Sequence, residues 1–224
     1  PDVGSLLLMP TTGELNVDYK QYGSTYKNEV AHPGYYSNTL TKYGIKTEVT
    51  ADKRSSIARF TFPQGQSHIL LNLGEGLTNE SGAFIRRISD NEFEGMKVLG
   101  TFCYNPQAVF PIYFYMKVNK QPKRSGYWKK QRMMSGVEAE WDKDNGKYKL
   151  YTEYKREIAG DDIGVFIDFD TQQNEEVEVL MGVSFVSMEN ARLNAEKELA
   201  QTTFDSLRLR AEEAWNNDLS KILV

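Results

Sequence analysis

Sulfur and imidazole are scarce in this chain, with one cysteine and two histidines in 224 residues. A lone cysteine excludes an intrachain disulfide and a thiolate metal site. A cysteine nucleophile would have to recruit His32 or His68. Cys103, between Phe102 and Tyr104, reads instead as a small buried hydrophobe, and His68 as a residue near a strand start. One cysteine is tolerated in reducing and oxidising compartments alike. No apolar run reaches the length of a membrane span, and no basic, apolar leader opens the chain. A net charge of -4 argues against a nucleic-acid footprint. Helical periodicity is missing before Glu189, and there is neither a repeat nor a low-complexity segment.

What is abundant is aromatic residues: 11 Phe and 13 Tyr, gathered in short alternating runs between turn residues. Ile45, Thr47 and Val49 alternate with Lys46, Glu48 and Thr50. Ala58, Phe60 and Phe62 precede Pro63-Gln64-Gly65, and Ile69–Leu73 ends at Gly74-Glu75-Gly76. Val177, Val179, Met181, Val183 and Phe185 alternate with polar or small residues. Period-two runs at spacings of roughly ten residues indicate a sandwich or barrel, not βαβ units. The reading is an all-β fold, a two-sheet antiparallel sandwich over residues 1–188. Beyond it the period becomes helical, and helices are expected near 189–200 and 203–222, capped at Thr202-x-x-Asp205. Phe204, Leu207, Ala211, Trp215, Leu219 and Ile222 form one stripe, which is expected to pack on the sandwich or on a neighbouring chain. Both chain ends read as cuts in a longer polypeptide.

Several constellations invite a functional reading. Asp142-Lys143-Asp144-Asn145-Gly146 resembles the opening of a calcium loop, but the closing bidentate Glu is absent and Asp-Asn-Gly is a hairpin signal. Asp161-Asp162 and Asp168/Asp170 are the best paired carboxylates. They read as a turn after Gly160 and as the solvent face opposite Ile167 and Phe169. Asn79-Glu80-Ser81 is a glycosylation sequon that matters only in a secreted eukaryotic protein. The basic stretch from Lys123 to Arg132 reads as a solvated loop whose lysine stems cover aromatic surface. Tyr35-Tyr36, Tyr127-Trp128 and Trp141 are the candidate sugar-stacking aromatics. Trp128, between two basic pairs, is the one expected to be exposed.

Several of these segments, in order, resemble the N-terminal domain of family 92 glycoside hydrolases, calcium-dependent exo-acting α-mannosidases common in Bacteroidetes. Pro1 to Pro10 resembles the stretch after the family's Ser-Gly-Thr-Gly-Cys loop. Asn28-Glu29-Val30-Ala31-His32-Pro33-Gly34-Tyr35-Tyr36 resembles its Glu-x-Ala-x-Pro-Gly-Tyr-Tyr motif. Gly44–Ala51 and Arg59–Pro63 are similar to the strands that follow. Val183 to Arg192 is similar to the strand-to-helix junction, and Phe204 to Asn216 to the helix leading to the catalytic domain. The resemblance weakens between about 119 and 160.

It implies a supersandwich of the galactose-mutarotase-like kind, with residues 189–224 as a helical linker to an (α/α) barrel catalytic domain beyond Val224. It implies inverting hydrolysis of terminal α-mannosides, of α-1,2 type, aided by calcium. The acid, the base and most calcium ligands belong to the barrel, so no catalytic or metal residue is assigned in this chain, and the chain alone is expected to be inactive. The residues taken as substrate-binding are Asp2, Glu29, Tyr35 and Trp128. Expected partners are the catalytic domain and α-mannoside glycans, with a dimer through the exposed C-terminal helix as a further option. The expected location is extracytoplasmic, in the periplasm or at the cell surface of a bacterium. An autonomous carbohydrate-binding or adhesion module is the alternative.

Overall fold

The computed structural model describes residues 4–76, 82–100, 105, 107–131, 147–152 and 156–221. In chain order the elements are β1 (Leu7–Thr12), α1 (Tyr19–Tyr22), β2 (Tyr26–His32), β3 (Tyr35–Leu40), β4 (Ile45–Ala51), β5 (Ser55–Phe62), β6 (Gly65–Asn72) and β7 (Ala83–Ser89). They continue with β8 (Glu92–Leu99), β9 (Phe110–Val118), β10 (Arg124–Lys130), β11 (Tyr148–Thr152), β12 (Glu157–Gly160), β13 (Ile163–Thr171), β14 (Glu175–Ser184), α2 (Met188–Glu198) and α3 (Phe204–Leu219).

The strands form two antiparallel sheets. One has five strands in the order β1-β6-β13-β10-β11, the other nine in the order β12-β7-β8-β9-β14-β5-β4-β3-β2. Alternation along each strand sends one set of side chains into the space between the sheets. Phe60, Phe62, Phe93, Phe114, Val177 and Val179 meet Ile69, Leu71, Tyr127, Val165, Ile167 and Phe169 there.

Each outer face is covered in turn. On the five-stranded sheet, Leu70, Trp128, Phe166 and Tyr148 lie beneath Val17 and Tyr22, carried by the segment around α1. α1 is a single turn capped by Asp18, too short to register as a helical period in sequence. On the nine-stranded sheet, Tyr35, Ile57 and Tyr115 lie beneath Ala191, Ala195, Leu199, Phe204 and Leu207 of the two C-terminal helices. α2 comes close because β14 carries Gly182. A Cβ there would sit 2.2 Å from the Ala191 carbonyl oxygen, so only glycine fits.

The expected stripe on α3 therefore splits. Phe204, Leu207 and Ala211 are buried, while Trp215 and Leu219 are 51% and 55% exposed. The cap of α3 is also one residue later than expected. Thr203 accepts from the Ser206 backbone and Ser206 answers with its hydroxyl, a reciprocal capping box, while Asp205 turns toward Arg59 at 3.4 Å.

Candidate functional site

The segment His32-Pro33-Gly34-Tyr35-Tyr36 turns β2 into β3 and faces two ways. Gly34, at φ +88, supplies the left-handed turn, and a Cβ on it would sit 2.8 Å from the Glu212 backbone nitrogen of α3. His32 lies 3.7 Å from the Glu212 carboxylate. Tyr35 packs edge-on to Phe204 and donates its hydroxyl to Glu48 at 2.8 Å. Arg208 lies 3.8 Å over the Tyr35 ring, and Arg59 4.1 Å over that of Phe204. Arg59 also donates to Glu48 at 3.1 Å, and Lys46 approaches the same carboxylate at 3.1 Å. Burial opposes ionisation of Glu48, but the hydrogen bonds from Arg59, Tyr35 and Lys46 outweigh it and hold its carboxyl below the ordinary value.

Tyr36 points the other way. Its hydroxyl donates to Glu29 at 2.8 Å and accepts from the Asn38 amide at 3.0 Å. The Asn38 carbonyl accepts from Thr47 at 2.7 Å. This hydrogen-bond chain runs in one direction and ends on the exposed carboxylate of Glu29.

A second polar cluster occupies the end of the sandwich where β6 finishes and β13 begins. Asn72 accepts from the backbone nitrogens of Gly74 and Glu75 at 2.8 and 3.2 Å, and its amide donates to the Tyr22 hydroxyl at 3.0 Å. Lys97, 1% exposed, crosses from β8 and donates to the Glu75 carbonyl oxygen at 2.9 Å. Lys130 pairs with Asp162 at 3.2 Å. Burial lowers the Lys97 ammonium to about 8. Burial, then the neighbouring Asp162 charge, raises the Glu75 carboxyl, and burial lifts the Tyr22 phenol to about 12. Oppositely displaced acid and base in one partly buried cluster make this a candidate functional site. Sequence reading passed over Lys97 and Glu75, because a lysine in an alternating strand and a Glu between glycines both look solvent-facing. The one available signal was Lys97 itself, which stands on the inward register of Phe93, Gly95 and Leu99.

The sequence-flagged residues scatter. Asp2 lies outside the described residues, as do Cys103, Trp141, the 142–146 loop and the sequon. Glu29 is exposed and Tyr35 buried, on opposite sides of the same hairpin. The exposure expected of Trp128 is corrected, since its indole is wholly buried. Gly164 lies directly across from it. A Cβ there would fall 2.1 Å from the Trp128 ring, so the missing side chain makes room for the indole to lie flat. The basic stretch is likewise not a solvated loop: residues 124–130 form β10, inside the five-stranded sheet.

Asp168 is corrected too. It is buried, not solvent-facing, and binds His68 at 2.8 Å and Arg124 at 2.6 Å. The second His68 nitrogen meets the Gly13 carbonyl at 2.9 Å, so this cluster fastens the α1 segment. Asp170 is exposed beside Lys123 as expected. Among the described residues no group of three or more His, Cys, Asp or Glu side chains is placed to hold a metal ion.

A family model, the glycosyl hydrolase family 92 N-terminal domain, matches residues 1–184. The chain is similar to the family GH92 α-mannosidase BT3965 from Bacteroides thetaiotaomicron, at 29% identity and a TM-score of 0.81, over 100% of this chain and 30% of that one. It is similar in fold to the family GH92 inverting mannosidase BT2199 from Bacteroides thetaiotaomicron VPI-5482, at 21% identity and a TM-score of 0.74, over 95% and 26%. It is also similar in fold to the GH92 family glycosyl hydrolase ccman5, at 23% identity and a TM-score of 0.75, over 98% and 28%. The chain thus spans less than a third of the length of these enzymes. No curated protein matches it.

Proposed function

The chain belongs to glycoside hydrolase family 92 as its N-terminal domain, and we propose that it is the non-catalytic, pocket-shaping part of an α-mannosidase. The observation that carries this reading is the family match over residues 1–184, joined to full coverage of this chain by an α-mannosidase more than three times its length. The reaction proposed for the whole enzyme is inverting removal of terminal α-mannosides, of α-1,2 type. Inversion requires a raised-pKa acid and a water-activating base roughly 6.5–9.5 Å apart. We place both in a helical catalytic domain joined to α3, together with most ligands of the calcium ion that would orient the substrate. The N-terminal sandwich would contribute sugar contacts, including Glu29, and a rigid surface for that catalytic partner. The exposed Leu209, Trp215 and Leu219 on α3, and Phe185 and Val186 ahead of α2, suit such a surface. The proposed location is the periplasm or cell surface of a bacterium.

The test is release of mannose from an aryl α-mannoside by the 224-residue chain and by the natural polypeptide that carries it, with calcium and with chelator. Turnover by the polypeptide alone, abolished by chelator, is the expected result. Turnover by the short chain at a comparable rate would put the active site in the sandwich. A polypeptide inactive on every α-mannoside, yet retaining sugar affinity, would favour the autonomous binding module.

A further inference from the structure

The turn Leu73–Gly76 is held more firmly than a surface loop requires. Asn72 accepts from its backbone nitrogens at Gly74 and Glu75. Leu73 donates to the Ile163 carbonyl at 2.9 Å. Gly74 lies flat on Asp162, whose Oδ1 would be 2.7 Å from a Cβ at that position. From beneath, Lys97 brings a buried ammonium to the Glu75 carbonyl oxygen. An ammonium in that position is expensive to bury, and an aliphatic side chain would fill the volume without that penalty. What the lysine adds is a fixed position for the residue above it. The start of β1 lies alongside, with Leu7 opposite Asn72.

We propose that Glu75 is a saccharide-contacting carboxyl of the pocket this domain shapes, and that Lys97 is the positioning residue that holds it there. The inference rests on the α-mannosidase reading. Sugar hydroxyls are neutral donors, and an ionised carboxylate accepts from them more strongly than a neutral group does. A carboxylate whose backbone is already fixed loses less entropy on binding. The charged groups facing Glu75 are Asp162, Lys130, Lys97 and Lys20. Burial and Asp162 raise its carboxyl, so sugar affinity should fall in mild acid as it protonates. Removing Lys97 takes away a neighbouring positive charge and moves that loss to higher pH.

The experiment measures KM and kcat against pH on an aryl α-mannoside, in the natural polypeptide carrying this domain. Glu75→Gln should raise KM about tenfold with kcat little changed, and should abolish the acid limb of KM. Lys97→Met should shift that limb to higher pH. If Lys97→Met does not fold, Glu75→Gln at the partly buried position decides alone. In parallel, backbone amides of residues 74–76 are followed by NMR as the 224-residue chain is titrated with methyl α-mannoside. Shifts that vanish in Glu75→Gln support the contact even if the polypeptide hydrolyses no mannoside, in which case the enzyme reading is what falls. Hydrolysis with wild-type KM and pH profile in Glu75→Gln, and no amide shifts, overturns the role of Glu75 and leaves the enzyme reading standing.

Discussion

Glu48→Gln is the sharpest test of how α3 is held. The side chain is 4% exposed and gathers the Tyr35 hydroxyl, the Arg59 guanidinium and the Lys46 ammonium. Removing one partner of a buried ion pair costs roughly 3–5 kcal/mol. The glutamine still accepts from Tyr35, and Lys46 is half exposed, so its share is below about 1 kcal/mol. Arg59 keeps Asp205 and the Phe204 ring. The net loss should be about 2–3 kcal/mol, or a Tm lower by about 5–10 °C in a domain of this size.

The sign with pH follows from the depressed carboxyl. The stabilisation is complete above the unfolded carboxylate pKa of about 4.3 and is lost as pH falls through the lower folded value. Wild type should therefore lose this contribution in acid, whereas Glu48→Gln has none to lose. Thermal melts followed by circular dichroism at neutral and acid pH measure both effects. A double-mutant cycle with Arg59→Met should show a coupling of about 1–3 kcal/mol. A coupling below about 0.5 kcal/mol, with equal acid sensitivity in wild type and variant, would refute the clasp.

Five further outcomes are expected. Phe204→Ala should destabilise by about 3–5 kcal/mol in urea unfolding, and Trp215→Ser by no more than about 0.5 kcal/mol, because only the first half of α3 is buried. Gly182→Val should cost about 3 kcal/mol or prevent folding, as its Cβ would strike the Ala191 carbonyl; a wild-type melting temperature would contradict the packing of α2. Asp168→Ala should cost about 3–5 kcal/mol and loosen the α1 segment, seen as faster amide exchange at Gly13. With Trp141 replaced by Phe, iodide should quench Trp215 and leave Trp128 unquenched.

The period-two runs of β4, β5 and β14 were legible because one face of each meets the opposite sheet, and burial on one face is what alternation records. β10 and β13 were harder. Both their faces are covered, so Tyr127 and Trp128 are buried on opposite sides, and Asp168 is enclosed beside Ile167. Local pattern cannot reveal a second covering layer supplied by residues 13–22. The same limit hid Lys97, whose burial depends on the Glu75 carbonyl 22 residues away. Buried polar residues take their meaning from such partners, and alternation carries no trace of them.

The hairpin motif shows the limit at its narrowest. Tyr35 and Tyr36 are neighbours of one type, and a sequence reading assigns them together as a sugar platform. Strand geometry forces them apart, since successive side chains leave opposite faces. Tyr35 goes to Glu48, Phe204 and Arg208, and Tyr36 to Glu29 and Asn38. Gly34 serves the same side as Tyr35, because the α3 backbone lies where its side chain would be. The Pro-Gly-Tyr part of the motif is thus explained by seating a helix. The final tyrosine, Glu29 and Ala31 remain on the face left open to a ligand. A substitution series separates the two roles: Tyr35→Phe should lower stability by about 1 kcal/mol through Glu48, and Tyr36→Phe should leave stability unchanged and weaken sugar binding. Equal stability losses at both positions would mean that the motif is structural throughout and that Glu29 has no part in the pocket.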